Sequence, residues 1–131
     1  TLGTYGSLLG RAFQLRDDIL GVFGDPEATG KPAGDDIREG KRTLLVLTAL
    51  ENGNTHQREI LTSLLGAPGL TEEDLTTARE IIEATGARNS CEELIARSTT
   101  DALTALEGAD MDAEGRSALI TLAGLATDRD R

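Results

Sequence analysis

Residues 8–26 read Leu8-Leu9-Gly10-Arg11-Ala12-Phe13-Gln14-Leu15-Arg16-Asp17-Asp18-Ile19-Leu20-Gly21-Val22-Phe23-Gly24-Asp25-Pro26, and two patterns run through them. The first is apolar. Leu8, Ala12, Leu15, Ile19 and Val22 recur at three- and four-residue steps, and Leu9, Phe13, Leu20 and Phe23 widen the stripe. That period predicts one amphipathic helix over about 2–23, stopped by Gly24, Asp25 and Pro26. The second is polar. Gln14, Asp17, Asp18 and Gly21 fall at i, i+3, i+4 and i+7 and therefore share a helical face.

Moving outward, Gly30, Pro32 and Gly34 place a loop up to Asp35. Asp36 followed three residues later by Glu39 resembles a capping box opening a helix that carries Leu44, Leu45, Leu47 and Leu50 into the core. That helix is expected to finish near Asn52-Gly53-Asn54 and to be followed by a short one over 55–65. Thr71 caps the next, with Leu75, Ala78, Ile81 and Ile82 on one face and Gly86 at its end. Ser90 with Glu93 signals a further start, before Cys91, Leu94, Ile95, Ala102 and Leu106, and a last helix is expected over 112–126. No segment alternates with period two, so the chain reads as all-α, roughly six helices packed as a bundle or part of one.

The polar face invites chemistry. Adjacent carboxylates buried on one face repel each other and resist desolvation, and a divalent cation removes that cost. Carboxylate oxygens suit Mg²⁺, which completes its shell with water and phosphate oxygens. The following stretch supplies the opposite charge: the chain has two lysines against eleven arginines, and both, Lys31 and Lys41, sit here beside Gly30 and Gly40. Compact ammonium groups and nearby glycines suit a diphosphate. Spacing alone leaves the plainer reading open, with Asp17 and Asp18 on a solvated face, Asp35 and Asp36 as caps, and Gly30 and Gly34 as turn residues.

Bulk properties narrow the classes. The 131 residues suffice for one domain, and with aromatics at 2% its core must be built from Leu, Ile, Val and Ala. The net charge of −10 argues against nucleic acid and against an anionic membrane surface as partners. Residues 1–43 hold seven acids and six bases, and residues 44–131 hold sixteen and seven, so the excess acid reads as solvated helix surface. No apolar run reaches the ~20 residues of a membrane span, so the chain is not expected to be an integral membrane protein. The lone Cys91 reads as a small buried hydrophobe, His56 as a surface residue, and the expected compartment is the cytoplasm. The chain opens without Met, inside a helical pattern, and is expected to be part of a longer protein.

Phe13-Gln14-Leu15-Arg16-Asp17-Asp18-Ile19-Leu20, then Gly24-Asp25, Gly30-Lys31, Gly34, Asp36 and Gly40-Lys41-Arg42-Thr43 follow in an order that resembles the polyprenyl synthetase, or trans-isoprenyl diphosphate synthase, family. The family writes this region as Phe-Gln, a variable pair, Asp-Asp, a loop, then Gly-Lys, Gly-x-Asp and Gly-Lys-x-Thr. The resemblance is strong over 8–45 and looser beyond. It implies an all-α isoprenoid-synthase-type helical bundle, of which 1–131 is the C-terminal half bearing the second aspartate-rich motif. It also implies a Mg²⁺-dependent prenyltransferase of isoprenoid biosynthesis: an allylic diphosphate ionises, the carbocation alkylates isopentenyl diphosphate head-to-tail, and a proton is lost. The implied product is a polyprenyl diphosphate of the geranylgeranyl type. By motif position Asp17 binds Mg²⁺ with Asp18 in support, Lys31 and Lys41 contact the allylic diphosphate, and Phe13 and Gln14 line the cleft; Asp17, Asp18 and Lys31 are the implied catalytic set.

Two departures qualify the resemblance. The motif often has a third acid where this chain has Gly21, so Asp17 and Asp18 must suffice, with Asp25 the nearest acid that could help. The first aspartate-rich motif and the upstream basic residues for isopentenyl diphosphate are absent, so this polypeptide alone is expected to be inactive. Association is expected either as the family's usual homodimer or with the missing N-terminal half. The rival reading is a non-catalytic synthase-like subunit that binds and modulates an active partner; the retained Asp17, Asp18, Lys31 and Lys41 speak against it.

Overall fold

The stripe beginning at Leu8 closes into one helix, α1 (Leu2–Phe23), in the computed structural model of the chain. The structure describes residues 2–24, 34–108 and 111–127, the last three by their backbone alone. Among the described residues six more helices follow: α2 (Asp35–Glu39), α3 (Leu44–Asn52), α4 (Thr55–Leu64), α5 (Glu72–Ala84), α6 (Ala87–Glu107) and α7 (Ala113–Thr127). Among the described residues there is no strand, and no helix is long and apolar enough to cross a membrane. The chain divides into two compact units, Thr1–Arg16 with Glu92–Asp130, and Asp17–Cys91.

In the unit Asp17–Cys91, Ile19, Val22, Ile37, Leu45, Leu61, Leu75 and Ile82 are essentially fully buried, and α3, α4 and α5 pack on one another. The connections are capped locally. Asn54 and Gln57 form a capping box at α4, and Thr71 and Asp74 form one at α5, each contributing about 1 kcal/mol by satisfying otherwise unpaired helix N–H groups. Arg79 on α5 donates from Nε to the Val22 carbonyl at 2.7 Å, tying down the last turn of α1 where carbonyls lack partners. The Arg88 guanidinium lies over the Phe23 ring, 4.3 Å from its centroid.

Three expectations fail between Asp36 and Asn52. The helix predicted from Asp36 to Asn52 is broken after Glu39, because Gly40 takes a left-handed φ of 71° and Thr43, extended, caps a new helix at the Val46 N–H. Asp36 is not a cap either. Gly34 stands at the N-cap with φ 70°, and Asp36 lies inside the first turn, buried. The restart at Leu44 also changes which side chains face inward. Leu45, Val46 and Ala49 are buried, while Leu44 and Leu47 are both 45% exposed.

The other unit packs Tyr5, Leu9, Ala102, Leu106 and Ala123 into one cluster, with Leu8, Leu103, Met111 and Leu119 against it. Its one aromatic core residue, Tyr5, donates its hydroxyl to the Leu119 carbonyl at 2.7 Å. Buried Arg16 reaches Glu92 with both guanidinium nitrogens, at 2.6 and 3.0 Å. At the α5–α6 junction the start signalled by Ser90 is displaced. Gly86, at φ 79°, lets the chain re-enter a helix at Ala87, and Ser90 becomes an interior residue whose N–H donates to Gly86. Cys91 is buried and His56 exposed, as expected.

Candidate functional site

The last turns of α1 carry Asp17 and Asp18 into different surroundings. The period of the stripe turns Asp18 inward, where it is 6% exposed, while Asp17 beside it is half-buried. One turn further on, Gly21 has no side chain, and α2 comes down onto that gap. A Cβ built on Gly21 would fall inside the Asp36 carboxylate, with even the more distant Asp36 oxygen, Oδ1, only 2.9 Å away. The buried Asp36 carboxylate thus abuts the same helical face as Asp17 and Asp18.

Three glycines let α2 sit there. A side chain at Gly34 would strike Leu75 and Arg79 of α5. At its other end, Gly40 and Gly66, both left-handed, approach so closely that a Cβ on Gly40 would lie 3.1 Å from the Gly66 Cα. The Gly66 N–H donates to the Ile37 carbonyl at 2.9 Å, which fastens the α4–α5 connection to α2. Only glycine allows backbones to meet at this distance with positive φ.

This clasp delivers Lys41. Its N–H donates to the Asp36 carbonyl at 2.9 Å, and its Nζ lies 3.1 Å from Glu39 Oε2 and 3.6 Å from Asp36 Oδ1. The hydrogen bond it donates to Glu39 and the charges of Asp36 and Glu39 hold the Lys41 ammonium above its ordinary pKa. The side chain is nevertheless half exposed, which leaves the ammonium open to a further anion.

The donor set is made of hard oxygens. Asp17 and Asp18 lie side by side on α1, and carboxylate oxygens of Asp35, Asp36 and Glu39 lie within 4.8 Å of one another. Such donors fit a cation of the Mg²⁺ or Ca²⁺ kind rather than a soft metal. Sequence reasoning treated Asp36 as a cap and missed its contact with Gly21. The available signal was the pairing of a side-chain-free position on the polar face with an acid just past the loop. Phe13 and Gln14 are exposed in the unit Thr1–Arg16 with Glu92–Asp130, where Phe13 lines an apolar groove of about 340 Å³ with Gly6, Leu9, Gly10 and Leu122. Lys31 and Asp25 lie outside the described residues.

Comparison with known proteins gives a consistent result. The family model for polyprenyl synthetases matches residues 1–82. The geranylgeranyl diphosphate synthase of Saccharolobus solfataricus is 48% identical over 81 residues, which cover 62% of this chain and 24% of that protein. A short chain isoprenyl diphosphate synthase of Methanothermobacter thermautotrophicus is 39% identical over 98% of this chain and 39% of its own length. Among solved structures, a Corynebacterium glutamicum geranylgeranyl pyrophosphate synthase, complexed with isoprenyl diphosphate and magnesium, superposes with a TM-score of 0.89 at 44% identity; 96% of this chain and 36% of that one are covered. The chain therefore spans less than two fifths of the length of the relatives it matches. Its all-α fold is that of the isoprenoid synthases, and the chain belongs to the polyprenyl synthetase family.

Proposed function

We propose that this chain supplies one wall of the active site of a Mg²⁺-dependent polyprenyl diphosphate synthase, with a product of the geranylgeranyl type. The observation that carries the reading is the placement of the Asp36 carboxylate, with charged Lys41 attached, on Gly21, one helical turn from Asp17 and Asp18. A half-exposed ammonium beside a carboxylate face is what a metal-bound diphosphate requires.

In this reading Asp17 holds the metal and Asp18 supports it directly or through water. Lys41, with Lys31, grips the allylic diphosphate and orients its carbon–oxygen bond towards the cleft. A Mg²⁺ ion held there would neutralise charge on the diphosphate, which leaves with the electron pair of that bond. The allylic cation left behind accepts the double-bond electrons of isopentenyl diphosphate, and loss of a proton restores the alkene. Fixed charges that need no reorganisation when the diphosphate departs are the main contribution of these residues. Phe13 and Gln14 line the cleft near the reacting ends, where Phe13 adds apolar surface that excludes water. The domain is the C-terminal helical part of the synthase, and the remaining metal ligands and the isopentenyl diphosphate site come from outside these residues, in the same polypeptide or a partner copy.

The test is turnover of the complete gene product with Mg²⁺, isopentenyl diphosphate and allylic primers. Asp17→Ala should lower kcat by roughly a hundredfold or more. Turnover equal to the parent protein would remove Asp17 from the site, and absence of any turnover in the parent would favour a non-catalytic subunit.

A further inference from the structure

Gly21 has no local reason to be glycine. Its backbone is helical rather than left-handed, and glycine inside a helix is less favourable than alanine. Two other glycines of α1, Gly6 and Gly10, differ from it: a Cβ at either would meet nothing within 4 Å. At Gly21 the space of the missing Cβ is filled by the Asp36 carboxylate. That carboxylate is buried, so a shift away from α1 would disturb the contacts that hold its charge. Asp36 also meets Lys41 at two points: its backbone carbonyl accepts from the Lys41 N–H at 2.9 Å, and its Oδ1 lies 3.6 Å from the Lys41 ammonium.

We propose that Gly21 is a positioning residue: it receives the Asp36 carboxylate against α1, and through Asp36 it sets where the Lys41 ammonium stands. The bearing of this chain of contacts on diphosphate binding rests on the function proposed above; the chain of contacts itself does not. Any side chain at position 21 displaces Asp36 first and Lys41 second, with no contact of its own to the ammonium. The effect of a substitution at 21 therefore depends on what occupies position 36, and its sign should reverse when the carboxylate is gone.

The experiment is a double-mutant cycle on the complete gene product. Gly21→Ala in the parent background should lower the melting temperature. In an Asp36→Ala background the same change should raise it, because only the helix preference for alanine remains. In parallel, the Lys41 ¹³Cε resonance of lysine-labelled protein, assigned with Lys41→Arg, should shift in Gly21→Ala in the direction that Asp36→Ala shifts it. It should not move further in the double variant. A rise in melting temperature in both backgrounds, or an unmoved Lys41 resonance in Gly21→Ala, would overturn the proposal. Calorimetry with inorganic pyrophosphate and MgCl₂ adds a separate arm, in which Gly21→Ala should weaken binding about tenfold. If Lys41→Ala leaves pyrophosphate binding unchanged, the diphosphate role of Lys41 fails while the contact chain stands on the resonance and melting data.

Discussion

The two compact units are built from the same kind of helix but hold their shape by different means. In Asp17–Cys91, position is set by discrete contacts with no slack: Gly21 against Asp36, Gly34 against Leu75 and Arg79, Gly40 against Gly66. In Thr1–Arg16 with Glu92–Asp130, it is set by apolar packing of Tyr5, Leu9, Ala102, Leu106 and Ala123. Apolar packing is non-directional and tolerates small adjustments, whereas left-handed glycines and buried carboxylates accept one arrangement. The carboxylates and Lys41 of the candidate site fall in the unit held by such discrete contacts, as the placing of charged groups in the proposed function would demand.

The comparison can be broken by substitution, beginning with the largest effect. Gly40→Val combines a left-handed backbone with a Cβ 3.1 Å from the Gly66 Cα. It should cost about 3–4 kcal/mol in urea unfolding of the complete gene product. Glu92→Ala probes a specific polar contact of the other unit, since it removes the carboxylate that both terminal nitrogens of the buried Arg16 guanidinium reach. Because Glu92 is itself a third exposed, the loss should be nearer about 2 kcal/mol than the full cost of a broken buried pair. A loss as large as that of Gly40→Val would erase the contrast. Tyr5→Phe removes one hydrogen bond to the Leu119 carbonyl, for about 1 kcal/mol. At the low end, Leu122→Gln on the groove of the same unit should stay within about 0.5 kcal/mol, since Leu122 is 49% exposed.

The pH dependence sharpens the same contrast from the alkaline side. Burial raises the Tyr5 phenol above 10.0, and Glu39 and Asp36 raise Lys41 above 10.5. A raised folded-state value means that the contribution is complete below the unfolded value and is lost as pH rises through the folded one. Both groups therefore predict a plateau through neutrality and a decline only above about pH 10. Tyr5→Phe and Lys41→Gln should each flatten part of that decline in a pH series of thermal melts.

Much of this was legible in the chain. The stripe through Leu15, Ile19 and Val22 gave α1 to its last residue, Thr71 gave the start of α5, and the ordered run from Phe13 to Thr43 gave the family. These succeed because a helical period and a local cap depend on neighbours within four residues. The reading failed at Asp36, at the break after Glu39 and at the burial of Leu44 and Leu47. Each of those depends on a partner remote in sequence. Gly66 makes room for Gly40, α1 makes room for Asp36, and the restart at Leu44 sets which leucines face inward.

By itself, the sequence determined that the chain is all-α, that Gln14, Asp17, Asp18 and Gly21 share a face, and which family it joins, because period and motif order are properties of the chain alone. The tertiary structure decided that Asp36 is a buried neighbour of Gly21 rather than a cap and that Lys41 stands between Asp36 and Glu39. The physical reason is that a missing side chain has no signature of its own. What Gly21 accommodates becomes visible only when another helix arrives to fill the space.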